Sequence, residues 1–234
     1  MVSRSNNPLA LSVVTLTEPG DVRATFERIT EFDDRDFGFN HNQTWNALPK
    51  ALRGMLDPAS VASSFRKAPK RVQNCIAALC ALGKIEPLET RAFADYPQAK
   101  LRTVSSIDWD PEVVIRVKAT CWYVKEGRAR IPLLQPRKCP LEPDRLALYL
   151  MFAQLAYCKD DWADVEIELI DISGNGEAYA RFVDVTQLPV MTDRDLRDFV
   201  QTYIEAKRLA DVERAKRPKK PTLLPMDELL GLEP

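Results

Sequence analysis

The sequence predicts an α+β protein in which a helical N-terminal region precedes a mixed β-sheet flanked by helices. Three observations support this fold class. Apolar residues recur at helical spacing through much of residues 1–101, and again over Asp195–Ala215. Between these regions they alternate with polar residues, as in a half-buried strand: Ile115, Val117, Ala119, Cys121 and Tyr123. We therefore expect a mainly helical region over 1–101, an α/β domain over 102–213, and a basic linker with a tail over 214–234.

The helical region is predicted to begin with an edge strand and to continue with helices. Pro8–Thr17 is expected to be the strand, and Asp21 is expected to cap a helix that runs to Phe32. Further predicted elements are a loop, three helix segments and a strand start: Asp33–Asn42, Thr44–Met55, a helix beginning at Asp57-Pro58, a helix from Lys70 that Gly83 ends, and Ile85–Leu88.

The α/β domain is predicted to contain two hairpins with a helix between them. Its elements are two strands, Val113–Lys125 and Arg130–Lys138, joined by a turn at Glu126–Arg128; a helix, Pro143–Tyr157; and a strand, Val165–Ile172, before a turn at Gly174-Asn175-Gly176. Thr192 or Asp193 is expected to cap the last helix, Asp195–Ala215.

Composition excludes several classes of protein. The 234 residues carry 33 basic and 34 acidic side chains, so net charge gives no support for non-specific nucleic-acid binding, which would need a local patch. No apolar run approaches the length of a transmembrane helix, and Met1–Pro8 lacks the apolar core of a signal peptide. We expect a cytoplasmic protein without membrane contact.

The cysteines and the single histidine argue against a zinc site or a histidine-based catalytic system. The five cysteines are irregularly spaced, contain no Cys-x-x-Cys pair, and are expected to be free and mostly buried thiols. His41 lies in a polar segment, and no glycine-rich phosphate loop is present. No cofactor, metal site or catalytic residue is predicted from these patterns.

The order of elements over residues 111–184 resembles the core of the PD-(D/E)xK nuclease-like superfamily. In that family, acids on two neighbouring strands hold a metal ion, and a lysine two residues after the second acid assists the nucleophile. The resemblance aligns that acid-x-lysine with Gln135-Pro136-Arg137, and no aspartate occurs in Lys118–Cys121. Glutamine is a weak metal ligand and arginine cannot act as a base, but arginine recognises phosphate well. The resemblance therefore implies a degenerate active site that binds nucleic acid without cutting it.

A looser resemblance links residues 44–101 to a winged helix-turn-helix module. It places Lys70, Arg71, Gln73 and Asn74 at the start of a recognition helix, where such residues suit phosphate and base-edge contacts. Together with the nuclease-like resemblance, it makes Arg137, Lys138, Lys70 and Arg71 the expected contacts to DNA or RNA.

Two other functions stay open at this point. The segment 222–234, which contains Met226–Leu232, follows a basic linker and has the pattern of a docking peptide for a protein partner, as in an assembly component of a phage, plasmid or defence system. An active metal-dependent nuclease would instead need a relocated site, built from Asp108 or Asp110 with Glu166 or Glu168.

Overall fold

A computed structural model describes residues 7–34, 41–95, 101–110, 113–174 and 179–216. Within those ranges the helices are α1 Ala10–Leu16, α2 Val22–Asp34, α3 Asn42–Leu52, α4 Val61–Ser64, α5 Lys70–Ile85, α6 Pro143–Tyr157 and α7 Asp193–Lys216. The strands are β1 Arg91–Ala92, β2 Val104–Asp110, β3 Val113–Lys118, β4 Cys121–Lys125, β5 Arg128–Gln135, β6 Glu166–Asp171 and β7 Arg181–Phe182. The predicted α+β fold class is confirmed.

The strands form a five-stranded sheet in the order β1-β4-β5-β6-β7 and a separate two-stranded sheet of β2 and β3. β5 and β6 are parallel and are connected by α6, whereas the other neighbours are antiparallel. A parallel pair needs a crossover, and α6 supplies it. The five-stranded sheet is therefore mixed, as the sequence predicts.

The two faces of the larger sheet are covered by different helical layers. Register places Tyr123, Arg130 and Glu166 on one face, because paired residues point to the same side. Glu86, which follows α5, forms an ion pair with Lys125 on this face. On the opposite face, Trp122 packs against Trp162, which follows α6. The buried apolar residues of both layers belong to one continuous core, which also includes α1 and α7.

Several predicted boundaries are confirmed. The helix Pro143–Tyr157 is α6, and the charged turn before β5 has positive φ at Glu126 and Gly127, as a tight hairpin requires. Asp21 caps α2, accepting a hydrogen bond from the Ala24 N–H at 2.8 Å. Thr192 caps α7 in a reciprocal arrangement with Asp195.

The predicted edge strand over Pro8–Thr17 is wrong, because this segment forms α1. Its polar residues, Ser12 and Thr15, are three apart, which suits one face of a helix, and most of the rest is buried against α6 and β3. The strand expected at Ile85–Leu88 is also absent from the described residues. Instead α5 continues past Gly83 to Ile85.

The single strand predicted over Val113–Lys125 is also wrong, because it is two strands in different sheets. The chain leaves β3 at Ala119, whose N–H donates to the Thr103 carbonyl and to the Tyr157 hydroxyl, both at 3.1 Å. Thr120 then donates its hydroxyl to the Trp45 carbonyl at 3.0 Å. In the sequence, apolar residues alternate with polar ones through this break, so the pattern could not reveal it, whereas in the structure Ala119, Thr120 and Cys121 are all buried.

None of the helices in the described ranges is long and apolar enough to cross a membrane. The turn predicted at Gly174–Gly176 lies partly outside the described residues, which include only Gly174. The predicted tail over 222–234 lies wholly outside them.

Candidate nucleic-acid interface

Gln135, the last residue of β5, holds the loop that follows it. The side chain is fully buried; its Nε2 donates to the Cys139 carbonyl at 3.0 Å, and its Oε1 accepts from the Arg137 N–H at 2.7 Å. An ionised carboxylate could accept the second bond but could not donate the first. A neutral amide at this position is therefore explained by the structure of the loop 136–139.

The neighbour of Gln135 across the sheet is Asp171 on β6. The ladder between β4 and β5 covers only Tyr123–Lys125 with Arg128–Arg130, so residues 118–121 are not ladder partners of Gln135. Asp171 is 5% exposed and accepts from the Ser173 N–H and hydroxyl, each at 2.9 Å, with Arg181 at 3.4 Å. The carboxylate beside Gln135 is thus already engaged in local contacts.

Arg71 connects the first turn of α5 to the end of β5. Its Nη2 atom lies 3.1 Å from the Pro136 carbonyl oxygen, 3.0 Å from that of Arg137 and 2.6 Å from that of Ile172. Its Nε atom is buried and makes no hydrogen bond within the described part of the chain. The predicted phosphate contacts Lys70 and Arg71 are thereby brought to the loop that carries the other pair, Arg137 and Lys138.

Arg137 contributes a half-buried guanidinium to this junction. Its Nη2 donates to the Ser12 hydroxyl of α1 at 3.1 Å. Burial lowers the pKa of Arg137, but arginine is basic enough to remain protonated. Burial, together with the charges of Arg71 and Arg137, lowers the pKa of His41 to about 4, so this imidazole is neutral at pH 7. His41 therefore adds no positive charge to this junction.

The turn before α5 adds basic residues that the sequence reasoning did not select. Gln73 donates its side-chain amide to the Phe65 and Ala68 carbonyls at 3.2 and 2.9 Å, which holds this turn against α5. Arg66 and Lys67 are exposed on this turn. The signal in the sequence that could have identified both residues is a run of basic residues just before a helix start. The amide of Gln73, predicted to suit base edges, is used internally.

We call the resulting set of side chains the basic surface: Arg66, Lys67, Lys70, Arg71, Arg137 and Lys138. Lys70 and Lys138 are exposed, and none of the six forms an ion pair with any residue that the structure describes. The first turn of α5 contains no acidic residue, and its N-cap, Pro69, supplies no side-chain hydrogen bond. Positive side chains therefore surround a helix N-terminus that is itself electropositive.

The acids of the alternative metal site are not gathered into one cluster. Asp108 lies on β2 in the two-stranded sheet, whereas Glu166 and Glu168 lie on β6 in the other sheet. Glu166 pairs with Arg128 and Arg130, and Glu168 pairs with Arg130. Among the residues that the structure describes, no group of three or more His, Cys, Asp or Glu side chains is arranged to hold a metal ion. The side chain of Asp110 lies outside the described set.

Glu168 has an unusual environment for a surface-strand carboxylate. Burial, with a smaller effect from the Glu86 carboxylate, raises the pKa of Glu168 from 4.5 to about 7. The Arg130 guanidinium lies 3.3 Å away, but it is shared with Glu126 and Glu166 and so offsets little of this penalty. Its Oε2 atom is buried without a hydrogen bond in the described ranges.

All five cysteines are free thiols, as predicted, and Cys75, Cys80 and Cys121 are buried. Burial raises the pKa of Cys75 to about 11, so this thiol stays protonated and donates to the Pro136 carbonyl at 3.6 Å. It is thus a structural contact of the junction between α5 and β5, not a nucleophile.

No protein-family model matches this sequence, and no curated protein matches it either. The resemblances to PD-(D/E)xK nucleases and to winged helix-turn-helix modules therefore stay predictions.

Proposed function

We propose that this protein is a non-catalytic, nuclease-like protein that binds the phosphate backbone of nucleic acid through its basic surface. The observation that carries the proposal is the contact of Arg71 with the Arg137 carbonyl at 3.0 Å. This contact joins the start of α5 to the loop after β5, and separate sequence resemblances predict phosphate contacts in each of these two segments. Lys70 and Lys138, one from each segment, flank it as exposed cations.

The electrostatics of the junction favour an anionic ligand. A cation in the first turn of a helix opposes the helix dipole at a cost of about 0.3–1 kcal/mol. α5 carries two there, Lys70 and Arg71, with no acid to compensate. A phosphate group at this position would reverse the sign of the interaction and accept from the free N–H groups of the first turn.

The six basic residues divide into two roles. Lys70, Lys138, Arg66 and Lys67 are exposed and able to reach phosphates along a nucleic-acid strand. Arg71 is a positioning residue, because its Nη2 is occupied by backbone carbonyls. Arg137, half-buried beside it, presents a planar guanidinium that suits phosphate oxygens.

The environment of Gln135 supports binding without cleavage. Both ends of its amide are occupied by the loop 136–139, and the adjacent Asp171 is held by Ser173. Metal-assisted cleavage would need free oxygen ligands at such a position.

The proposal is tested by fluorescence anisotropy with labelled single- and double-stranded DNA and RNA at several salt concentrations, without and then with Mg²⁺. We expect Lys70→Gln and Lys138→Gln each to weaken binding about three- to tenfold and to reduce the salt slope by about one. The matched control is Lys50→Gln. Lys50 is exposed next to Ala51 of α3, which contacts Gly83 near the C-terminal end of α5. The basic surface lies at the opposite, N-terminal end of α5.

Two results would overturn parts of this proposal. Absence of binding at low salt, or equal losses in Lys50→Gln and Lys70→Gln, would exclude the basic surface as the contact. Cleavage by the parent protein in Mg²⁺ would contradict the non-catalytic assignment while leaving the binding assignment intact.

A further inference from the structure

A second site lies apart from the basic surface, between the beginning of β2 and the C-terminal end of α6. Here a cavity of about 570 Å³ is bounded by residues 101–106, the last turn of α6 and the short turn 159–162. That volume falls within the range of small-molecule sites in proteins.

One wall is aromatic and fixed in place. Trp162 lines the cavity and packs edge-to-face against Trp122, with ring centroids 5.2 Å apart and an interplanar angle of 73°. The Arg91 guanidinium lies 5.1 Å from the Trp122 ring centroid, on the same face of the sheet. A preordered indole at the edge of a cavity is suited to contact with a flat, apolar ring.

Two cations border the cavity from different elements. Arg102 precedes β2 and Lys159 follows α6, and both side chains are exposed. Neither forms an ion pair or a side-chain hydrogen bond with any residue in the described ranges. They are therefore available to a ligand that carries an anionic group such as a phosphate.

The acids Asp160 and Asp161 also line the cavity, and Asp160 is held in a strained backbone conformation. Its φ is 52°, in the left-handed region that residues other than glycine rarely adopt. Its carboxylate is exposed and makes no side-chain hydrogen bond or ion pair with another described residue. Strained backbone conformations cluster at ligand-binding sites, and Asp160 lies in the wall of a cavity.

We propose that this cavity binds a nucleotide whose base carries an exocyclic amino group. The phosphate pairs with Arg102 and Lys159, the base lies against Trp162, and the amino group donates to the Asp160 carboxylate, as carboxylates accept from cytosine N4. This assignment uses both signs of charge at the site, which a simple anion or an apolar ligand would not. The proposed nucleotide site shares no residue with the basic surface and does not rest on the proposed function.

The test is titration of the full chain with CMP, GMP, AMP, UMP and ribose 5-phosphate, followed by calorimetry and tryptophan emission. We expect saturable binding of the three amino-bearing nucleotides with dissociation constants of about 1 mM or below. UMP and ribose 5-phosphate should bind at least about fivefold more weakly, since they lack the amino group or the base. A short single-stranded oligonucleotide distinguishes a nucleotide within a chain from a free one.

The variants separate the three contacts. Arg102→Gln and Lys159→Gln should each weaken CMP binding about fivefold, and Trp162→Leu about tenfold, with most of the affinity recovered in Trp162→Phe. Asp160→Asn should remove the preference for CMP over UMP. Asp160→Gly should lose the same preference while raising the midpoint of thermal unfolding, because glycine tolerates this φ.

Lys50→Gln, which belongs neither to the cavity wall nor to the basic surface, serves as the control and should leave mononucleotide binding unchanged. Failure of every mononucleotide to bind at about 5 mM, or binding that Arg102→Gln and Lys159→Gln leave unaltered in folded protein, would overturn the assignment. Loss of mononucleotide binding in Lys50→Gln would contradict the placement of the nucleotide site in this cavity. That outcome is distinguishable from failure of the basic surface, because the basic surface is tested with long nucleic acid and the cavity with mononucleotides.

Discussion

The Nη2 atom of Arg71 lies 3.0 Å from the carbonyl oxygen of Arg137, although 66 positions separate the two residues in the sequence. One guanidinium group thus ties the N-terminal turn of α5 to the loop at the end of β5. It also contacts the Ile172 carbonyl just beyond β6, at 2.6 Å. The helical region and the sheet are connected here by a cation that serves backbone acceptors.

Replacing Arg71 by methionine should destabilise the protein by about 3 kcal/mol, because three carbonyl oxygens lose their donor in a half-buried site. Urea unfolding followed by circular dichroism measures this loss. Lys70→Met is the matched control, since the neighbouring Lys70 is exposed, and it should change the free energy of unfolding by less than about 0.5 kcal/mol. Equal effects in the two variants would contradict the positioning role of Arg71.

Replacing Gln135 by glutamate should destabilise the fold and make its stability depend on pH. The new carboxylate would lose the bond to the Cys139 carbonyl and lie beside Asp171, so we expect a loss of about 2–4 kcal/mol at neutral pH. Burial would raise its folded-state pKa, so stability would be retained at low pH and lost as pH rises through that value.

Equilibrium unfolding of Gln135→Glu at acid and mildly alkaline pH tests this expectation, with Gln154→Glu on the exposed side of α6 as control. A Gln135→Glu variant that is as stable as the parent at all pH values would show that the amide is not needed to hold the loop.

Replacing Gly83 by alanine should destabilise the protein by about 3 kcal/mol or more, although alanine favours an isolated helix by about 1 kcal/mol. A Cβ at Gly83 would lie 2.0 Å from the Ala51 carbonyl oxygen of α3, an impossible contact. Ala81→Gly, at an exposed position of the same helix, should cost only about 1 kcal/mol. Thermal unfolding compares the two, and a stabilised Gly83→Ala would exclude the close approach of α3 and α5.

Replacing Glu168 by glutamine should stabilise the protein at alkaline pH relative to the parent. Burial raises the pKa of Glu168 from 4.5 to about 7, so the folded state favours the protonated carboxyl. The stability that this protonated group contributes is fully present below pH 4.5 and is lost as pH rises through 7. The variant lacks this titration, so its advantage over the parent should grow by about 3 kcal/mol between pH 4 and 8. Chemical denaturation across this range measures it, and Glu142→Gln, an exposed site, is the control.

Local chemistry in the sequence was enough to place several elements. The caps at Asp21 and Thr192, the turn at Glu126-Gly127 and the helix Pro143–Tyr157 depend on residues close to one another along the chain. Gly83 shows the limit of such reasoning. Gly83 is predicted to end a helix. In the structure it lies within α5, and α3 can approach closely at this point because glycine has no Cβ.

Other errors came from features that a one-dimensional pattern cannot contain. Apolar and polar residues alternate through Ala119 in the sequence, yet the chain changes sheet there because Tyr157 and Trp45 offer hydrogen-bond partners for its backbone and for Thr120. In α1, burial against α6 and β3 selected a helix where an edge strand had been predicted.

The sequence by itself determined the fold class, the caps at Asp21 and Thr192 and the free state of the thiols. The four basic residues that it indicates for phosphate contact stay a prediction. Only the tertiary structure decided that Arg71 and Arg137 meet, that Gln135 holds a loop beside Asp171, and that Trp162 and Asp160 border one cavity. The physical reason is that caps and turns are satisfied within a few residues, whereas a guanidinium or a buried amide bonds whichever backbone groups the packing brings within about 3 Å.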